Sequence, residues 1–146
     1  MQSTAEKLRV GAAAEAAAEA ALAAAGWKVV NLNELANNFR FVDLLAKQGS
    51  TKLLVQVKGT TTSEGKFGAL PDRARGLDTL AEELDAIALY ALVHLTAAGT
   101  AVRFGHAQQV ASLAAERIAA YHGTLRYHLY ITDFIYEVKD LAEFVE

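Results

Sequence analysis

Asp43, Gln56 and Lys58 are the residues of this sequence whose types and spacing can do chemistry. Asp43 interrupts the apolar run Phe41-Val42-Asp43-Leu44-Leu45, and Gln56 and Lys58 alternate with Val55 and Val57. In an extended strand, residues two apart point to the same face, so Gln56 and Lys58 project together. The polar stretch Gln48-Gly49-Ser50-Thr51 joins the two runs as the turn of a β-hairpin. Pairing across that turn brings Asp43 close to Gln56 and Lys58. A carboxylate, an amide oxygen and an ammonium then meet on one edge of an apolar sheet. Hard divalent cations such as magnesium take oxygen ligands and keep several waters. A carboxylate plus a carbonyl oxygen can hold one, with a strand backbone carbonyl as a further ligand. A lysine beside them can orient or deprotonate a water, or stabilise charge growing on a phosphate. The same pattern also describes an ordinary half-exposed hairpin with its polar residues toward water, and spacing alone leaves both readings open.

The elements that must position these residues are legible along the chain. Ser3 to Ala25 reads as the clearest helix: Ser3 or Thr4 caps it, Glu6 stands three residues after Ser3, and the alanine-rich run has high helix propensity. Gly26 closes it. Small side chains let this helix lie close to a sheet. Glu15 and Glu19 are four apart and share a face, where on the helix alone both read as solvating charges. Trp27 to Val30 is a first strand, and Asn31 to Asn38 is turn-like, bending at Asn37-Asn38. After the hairpin, Thr60 to Arg75 reads as the longest irregular stretch, with Gly65, Gly68 and the only proline, Pro71. Lys66, Arg73 and Arg75 make it locally basic, diluted by Glu64 and Asp72, and it is the candidate substrate-contacting loop. Leu77 to Asp85 reads as a short helix or turn, and Ala86 to Thr96 as a buried strand. A turn at Ala97-Ala98-Gly99 leads to a short strand, Thr100 to Gly105. Apolar residues at spacings of three and four predict a helix over His106 to His122, Thr124 to Thr132 is a strand, and Leu141 to Glu146 is a terminal helical turn.

Length and composition bound the possibilities. The 146 residues suit one domain with a real core. Cysteine is absent, which removes disulfides and thiolate metal sites and fits a reducing, cytoplasmic compartment. No apolar run has the length of a membrane span, and Met1 to Glu6 lacks a secretory layout. The formal charge of −3 counts against a broad non-specific nucleic-acid binder while allowing a local basic patch.

With these elements in order, the sequence resembles the PD-(D/E)XK nuclease superfamily over roughly Leu8 to Leu95. Gly11-Ala12-Ala13-Ala14-Glu15, followed by Gly26-Trp27, is similar to the family's first helix, whose glutamate often completes the metal site. Phe41-Val42-Asp43-Leu44-Leu45 is similar to the strand carrying the invariable acid, and Val55-Gln56-Val57-Lys58-Gly59-Thr60 to the last motif. Val42 stands where the family's proline is often found. Gln56 replaces the acid of (D/E)-x-K, as in Q-x-K subgroups such as Mrr-like restriction enzymes. The resemblance implies an α/β fold, a central mixed sheet flanked by helices. It implies magnesium-dependent (or manganese-dependent) hydrolysis of DNA phosphodiester bonds, of restriction, homing or repair type. Asp43 would be the main metal ligand, Glu15 a further ligand, and Gln56 would add its side-chain oxygen beside the Val57 carbonyl. Lys58 would position the nucleophilic water, and Thr60 would contact phosphate. The alternative is a nuclease-like domain without catalysis that binds DNA or protein, which the acidic charge and Gln56 favour. A small-molecule binder lacks support, since Gly65-Lys66-Phe67-Gly68 has no phosphate-loop spacing.

The remaining candidates read as structural. His94 and His106 flank an apolar strand and a helix start and read as lone structural histidines. His122 and His128 sit six apart, a poor metal spacing, and Trp27, Tyr127, Tyr130 and Tyr136 suit packing better than base stacking. A chain of this size would dimerise to cut both strands of a duplex, with its apolar C-terminal third as the surface.

Overall fold

The polypeptide is built on a long N-terminal helix, α1 (Thr4–Ala24), laid across a sheet. Ser3 begins it by accepting a hydrogen bond from the Glu6 amide (3.2 Å). Gly26, at φ +95°, ends it: the Trp27 and Gly26 amides return to the carbonyls of Leu22 and Ala23. Alanine covers every side of α1, so its sequence marks no inward stripe. Packing selects Ala14, Ala18 and Leu22, four apart, as the buried face.

The remaining elements follow in order: β1 (Lys28–Asn31), α2 (Leu32–Leu35), β2 (Leu44–Gln48), β3 (Thr51–Thr60), β4 (Glu64–Phe67), α3 (Leu70–Glu83), β5 (Ile87–Thr96), β6 (Gly99–His106), α4 (Ala107–Ala120) and β7 (Tyr127–Tyr130). Two 3-10 helices, Ile131–Asp133 and Val138–Phe144, finish the chain. This computed structural model describes residues 3–35, 42–62, 64–67, 70–120 and 127–146, with side chains left out at 34–35, 64–67, 70–72, 118–120 and 127–128. Phe41 and the Asn37-Asn38 bend lie outside the described residues.

The main sheet has the order β1-β2-β3-β5-β6, and β4 pairs with β7 in a separate ribbon. β2 and β3 form the expected hairpin, with Gln48 opposite Thr51 and Gly49 turning at φ +60°. β3 and β5 run parallel, whereas the other neighbours in the sheet are antiparallel. The sheet separates two cores. Ala14, Ala18 and Leu22 meet Leu53, Val55 and Leu89 on the α1 side. Ala74, Leu77, Ala81 and Val110 of α3 and α4 meet Leu54, Tyr90 and Leu92 on the other. β5, buried from Ala88 to Val93, is covered on both faces. The outer edge of β6 is partly closed by the backbone pair Phe104–Tyr136 (2.8 and 2.9 Å).

The expectation that Thr60 to Arg75 is irregular, with a short helix or turn only from Leu77, is corrected here. β4 and the start of α3 occupy much of that stretch. Parallel β3 and β5 cannot be joined by a tight turn and need a crossover element, which α3 supplies. Pro71 sits in the first helical turn, where its missing N–H breaks no ladder. Ala74, Leu77 and Ala81 recur at three and four along α3 and bury its inner face. Three boundaries also move. Asn31 ends β1 and Leu32–Leu35 coils, where a turn was expected, and the last strand stops at Tyr130 before a 3-10 turn. The terminal helical turn begins earlier, at Val138.

Candidate metal centre and nucleic-acid interface

Asp43 lies one residue before β2, past the last paired position, Leu44 opposite Val55. Its backbone amide still bonds the Val55 carbonyl (2.9 Å), and this anchors the side chain over β3. There the carboxylate accepts three hydrogen bonds. Oδ2 takes the Val57 amide (2.8 Å) and Gln56 Nε2 (2.7 Å), and Oδ1 takes Asn33 Nδ2 (2.8 Å). The Val57 N–H, beyond the β2 ladder, is thereby satisfied by a side chain rather than a strand.

Glu15 reaches the same place from α1. Its Oε1 accepts from the same Asn33 Nδ2 at 2.7 Å. The helix sits close enough because β3 carries Gly59 at the contact. A Cβ on Gly59 would stand 2.6 Å from the Ala14 Cβ and 3.1 Å from the Val10 carbonyl oxygen. Burial pushes the Glu15 carboxyl above its ordinary value. The Asn33 hydrogen bond works against that shift, and the Asp43 charge adds to it.

Sequence reasoning missed Asn33. It lies in the polar segment after β1, where its own amide bonds Asn31 Oδ1 (3.0 Å) in an Asx turn. Its partners are 18 and 10 residues away in the chain, so no local spacing marks it.

The structure therefore brings Glu15, Asp43, Gln56 and the Val57 backbone together. Lys58 is exposed, two residues beyond Gln56 on the same strand face. Gln56 meets Asp43 through its Nε2, so the amide is a donor to the carboxylate here, and its oxygen is turned away from that contact. An acid in its place would face Asp43 charge to charge. Tyr90 on β5 is directly opposite Gln56 in the ladder. Burial pushes its hydroxyl up to about 12, against a favourable effect of Arg73 and with further raising by Asp78 and Asp43. It stays protonated through neutral pH and is no general base.

The predicted contacts to nucleic acid are less convergent. Thr60 is buried, and its hydroxyl joins the Thr62 amide (3.1 Å) and hydroxyl in a turn. Arg73 and Arg75 are exposed on α3, about 200° apart around the helix, so they do not share a face. The charge of Arg73 reaches Tyr90. The Lys66 backbone pairs with His128 in the β4–β7 ribbon, and its side chain lies outside the described residues.

Among the described residues, no three His, Cys, Asp or Glu side chains cluster as a metal cage. The donors at hand are two carboxylates, one amide and a backbone carbonyl. That set is all oxygen and incomplete, which suits a hard cation that retains water and does not suit a thiophilic or imidazole-bound metal.

The fold is similar to that of Hjc, a Holliday junction resolvase from the archaeal hyperthermophile Archaeoglobus fulgidus. The TM-score is 0.65 at 21% identity, covering 91% of this chain and 95% of that one. At that identity the likeness is one of fold: a mixed five-stranded sheet with flanking helices, restriction-endonuclease-like as the sequence predicts. No family model matches the sequence, and no curated protein matches it.

Proposed function

We propose that this chain is a divalent-metal-dependent DNA endonuclease of the PD-(D/E)XK type, with residues 1–146 as one nuclease domain. One observation carries the reading: Glu15 from α1 and Asp43 from the head of β2 converge on a single amide nitrogen, beside the β3 face that bears Gln56 and Lys58.

In this reading Asp43 and Glu15 hold magnesium or manganese, with the Val57 carbonyl and, after a turn of its amide, the Gln56 oxygen. When bound there, such a cation would supply a more acidic water and neutralise charge at the scissile phosphate. The chain's own residues do the rest. Lys58, exposed two residues beyond Gln56 on the same face of β3, positions the attacking water and steadies the phosphate. Arg73, exposed on α3 with its charge felt at Tyr90, would hold the DNA backbone electrostatically, with Arg75 on another side of the helix and Lys66 of β4 adding to the positive field. The buried Thr60, its hydroxyl engaged by Thr62, would need to open to contact phosphate. Gln56 removes one negative charge compared with an acid there, so the site needs more metal to fill. One chain offers one such site, so cutting both strands calls for a homodimer.

A second reading has a specific observation behind it. Gln56 presents its amide nitrogen, not its oxygen, to Asp43, and among the described residues two carboxylates meet there. A nuclease-shaped domain that binds DNA without cutting it would have that character.

Cleavage assays separate the two. Supercoiled plasmid and a four-way DNA junction, the latter chosen because the similar fold is that of a junction resolvase, are incubated with magnesium or manganese. Metal-dependent cutting of either substrate, abolished in Lys58→Ala, supports the nuclease. Binding without cutting in either metal supports the inert module.

A further inference from the structure

The Asn33 amide lies between the carboxylates of Glu15 and Asp43. One nitrogen, Nδ2, donates to Glu15 Oε1 at 2.7 Å and to Asp43 Oδ1 at 2.8 Å. The orientation follows from charge: a carbonyl oxygen turned to that point would face two carboxylates. The two N–H bonds thus play, weakly, the part that a positive ion plays between two anions. They hold together two acids that would otherwise repel. Asn33 is itself fixed by its Asx turn with Asn31 and by the Leu32 amide bonding to the Asp43 carbonyl (2.9 Å).

We infer that Asn33 is a placeholder: its side-chain amide occupies the cation position in the metal-free protein and must leave it when the metal enters. This rests on the metal-dependent reading above. The residue then acts on metal affinity by competition. It lowers the free energy of the empty site, and both of its bonds to charged oxygens are given up on loading. Removing it leaves the carboxylates in closer repulsion and gives the cation nothing to displace. Both effects act in one direction, toward tighter binding. A residue that served as a metal ligand, or that merely ordered the site, would act in the other.

The test is calorimetric titration of magnesium, and of manganese, into the full chain and into Asn33→Ala and Asn33→Ser, whose side chains cannot span the two carboxylates. The expected result is a dissociation constant lower in either variant by at least about threefold. Loss of one uncompensated charge-assisted bond on loading would make it about tenfold. Equal or weaker binding by the variants, with the wild type binding, overturns the inference and leaves the metal site standing. No binding by wild type or variants overturns the metal reading, and this inference with it. Should the variants not fold, the wild type still decides by NMR. The Asn33 side-chain NH₂ resonances must move from their hydrogen-bonded positions as magnesium saturates the site. If they stay in place at saturation, the inference fails.

Discussion

Asp43 draws three partners from two parts of the chain: an amide and a side chain of β3, and a side chain after β1. Gln56 is one of them, and its replacement by acid has opposite effects on the empty and the filled site. Gln56→Glu removes a bond to a charged group and sets two carboxylates together. It should destabilise the metal-free protein by about 1–3 kcal/mol. At about 3 °C per kcal/mol for a chain of this size, thermal unfolding would show a drop of several degrees, reversed by millimolar magnesium. No drop without metal would mean that the Gln56–Asp43 bond does not hold the site. Lys58 behaves differently because it is exposed. Lys58→Ala should leave the melting temperature within about 2 °C and metal affinity within about twofold while abolishing nicking. A variant that still nicks at the wild-type rate removes Lys58 from the chemistry. Asp43, Gln56 and Lys58 were legible because each breaks an apolar alternation. Asn33 was not, because a polar residue in a polar segment breaks no pattern.

At the scale of elements, Gly59 sets how near α1 comes to β3. The missing Cβ lets Ala14 and Val10 pack against the strand backbone, and Glu15 is the next residue along the helix. Gly59→Ala should therefore act twice. Overpacking should reduce stability by about 1–3 kcal/mol, read by denaturant unfolding, and displacement of Glu15 should weaken magnesium binding several-fold. Lost stability with unchanged metal affinity would show that Glu15 is not positioned by this contact. The sequence announced α1 through its alanines, cap and Gly26. It concealed which face turns inward, since alanine lies all round. α3 was concealed for another reason. Gly68, Pro71 and Gly76 read as loop signals, and the parallel β3–β5 pairing that demands a crossover is a tertiary fact. β5 was readable because a strand covered on both faces is apolar throughout.

For the whole molecule, the two cores place α1 on one side of the sheet and α3 with α4 on the other, and the site opens where α1, β2 and β3 meet. The resemblance carried by the motifs and the order of elements anticipated the mixed sheet flanked by helices, though not the β4–β7 ribbon, which joins segments about 60 residues apart. No helix among the described residues is long and apolar enough to cross a membrane. If the chain cuts duplex DNA as a pair, sedimentation at micromolar concentration should give twice the 15.6 kDa chain mass. A monomer that makes double-strand breaks would contradict the homodimer. The central claim, that Asp43 anchors a divalent metal which the chain uses to cut DNA, is tested most directly by calorimetry with magnesium and manganese on wild type and Asp43→Ala. The account predicts millimolar or tighter binding by the wild type and none by the variant, with cleavage lost in step. Equal binding by both, or none by the wild type at millimolar metal, would contradict it.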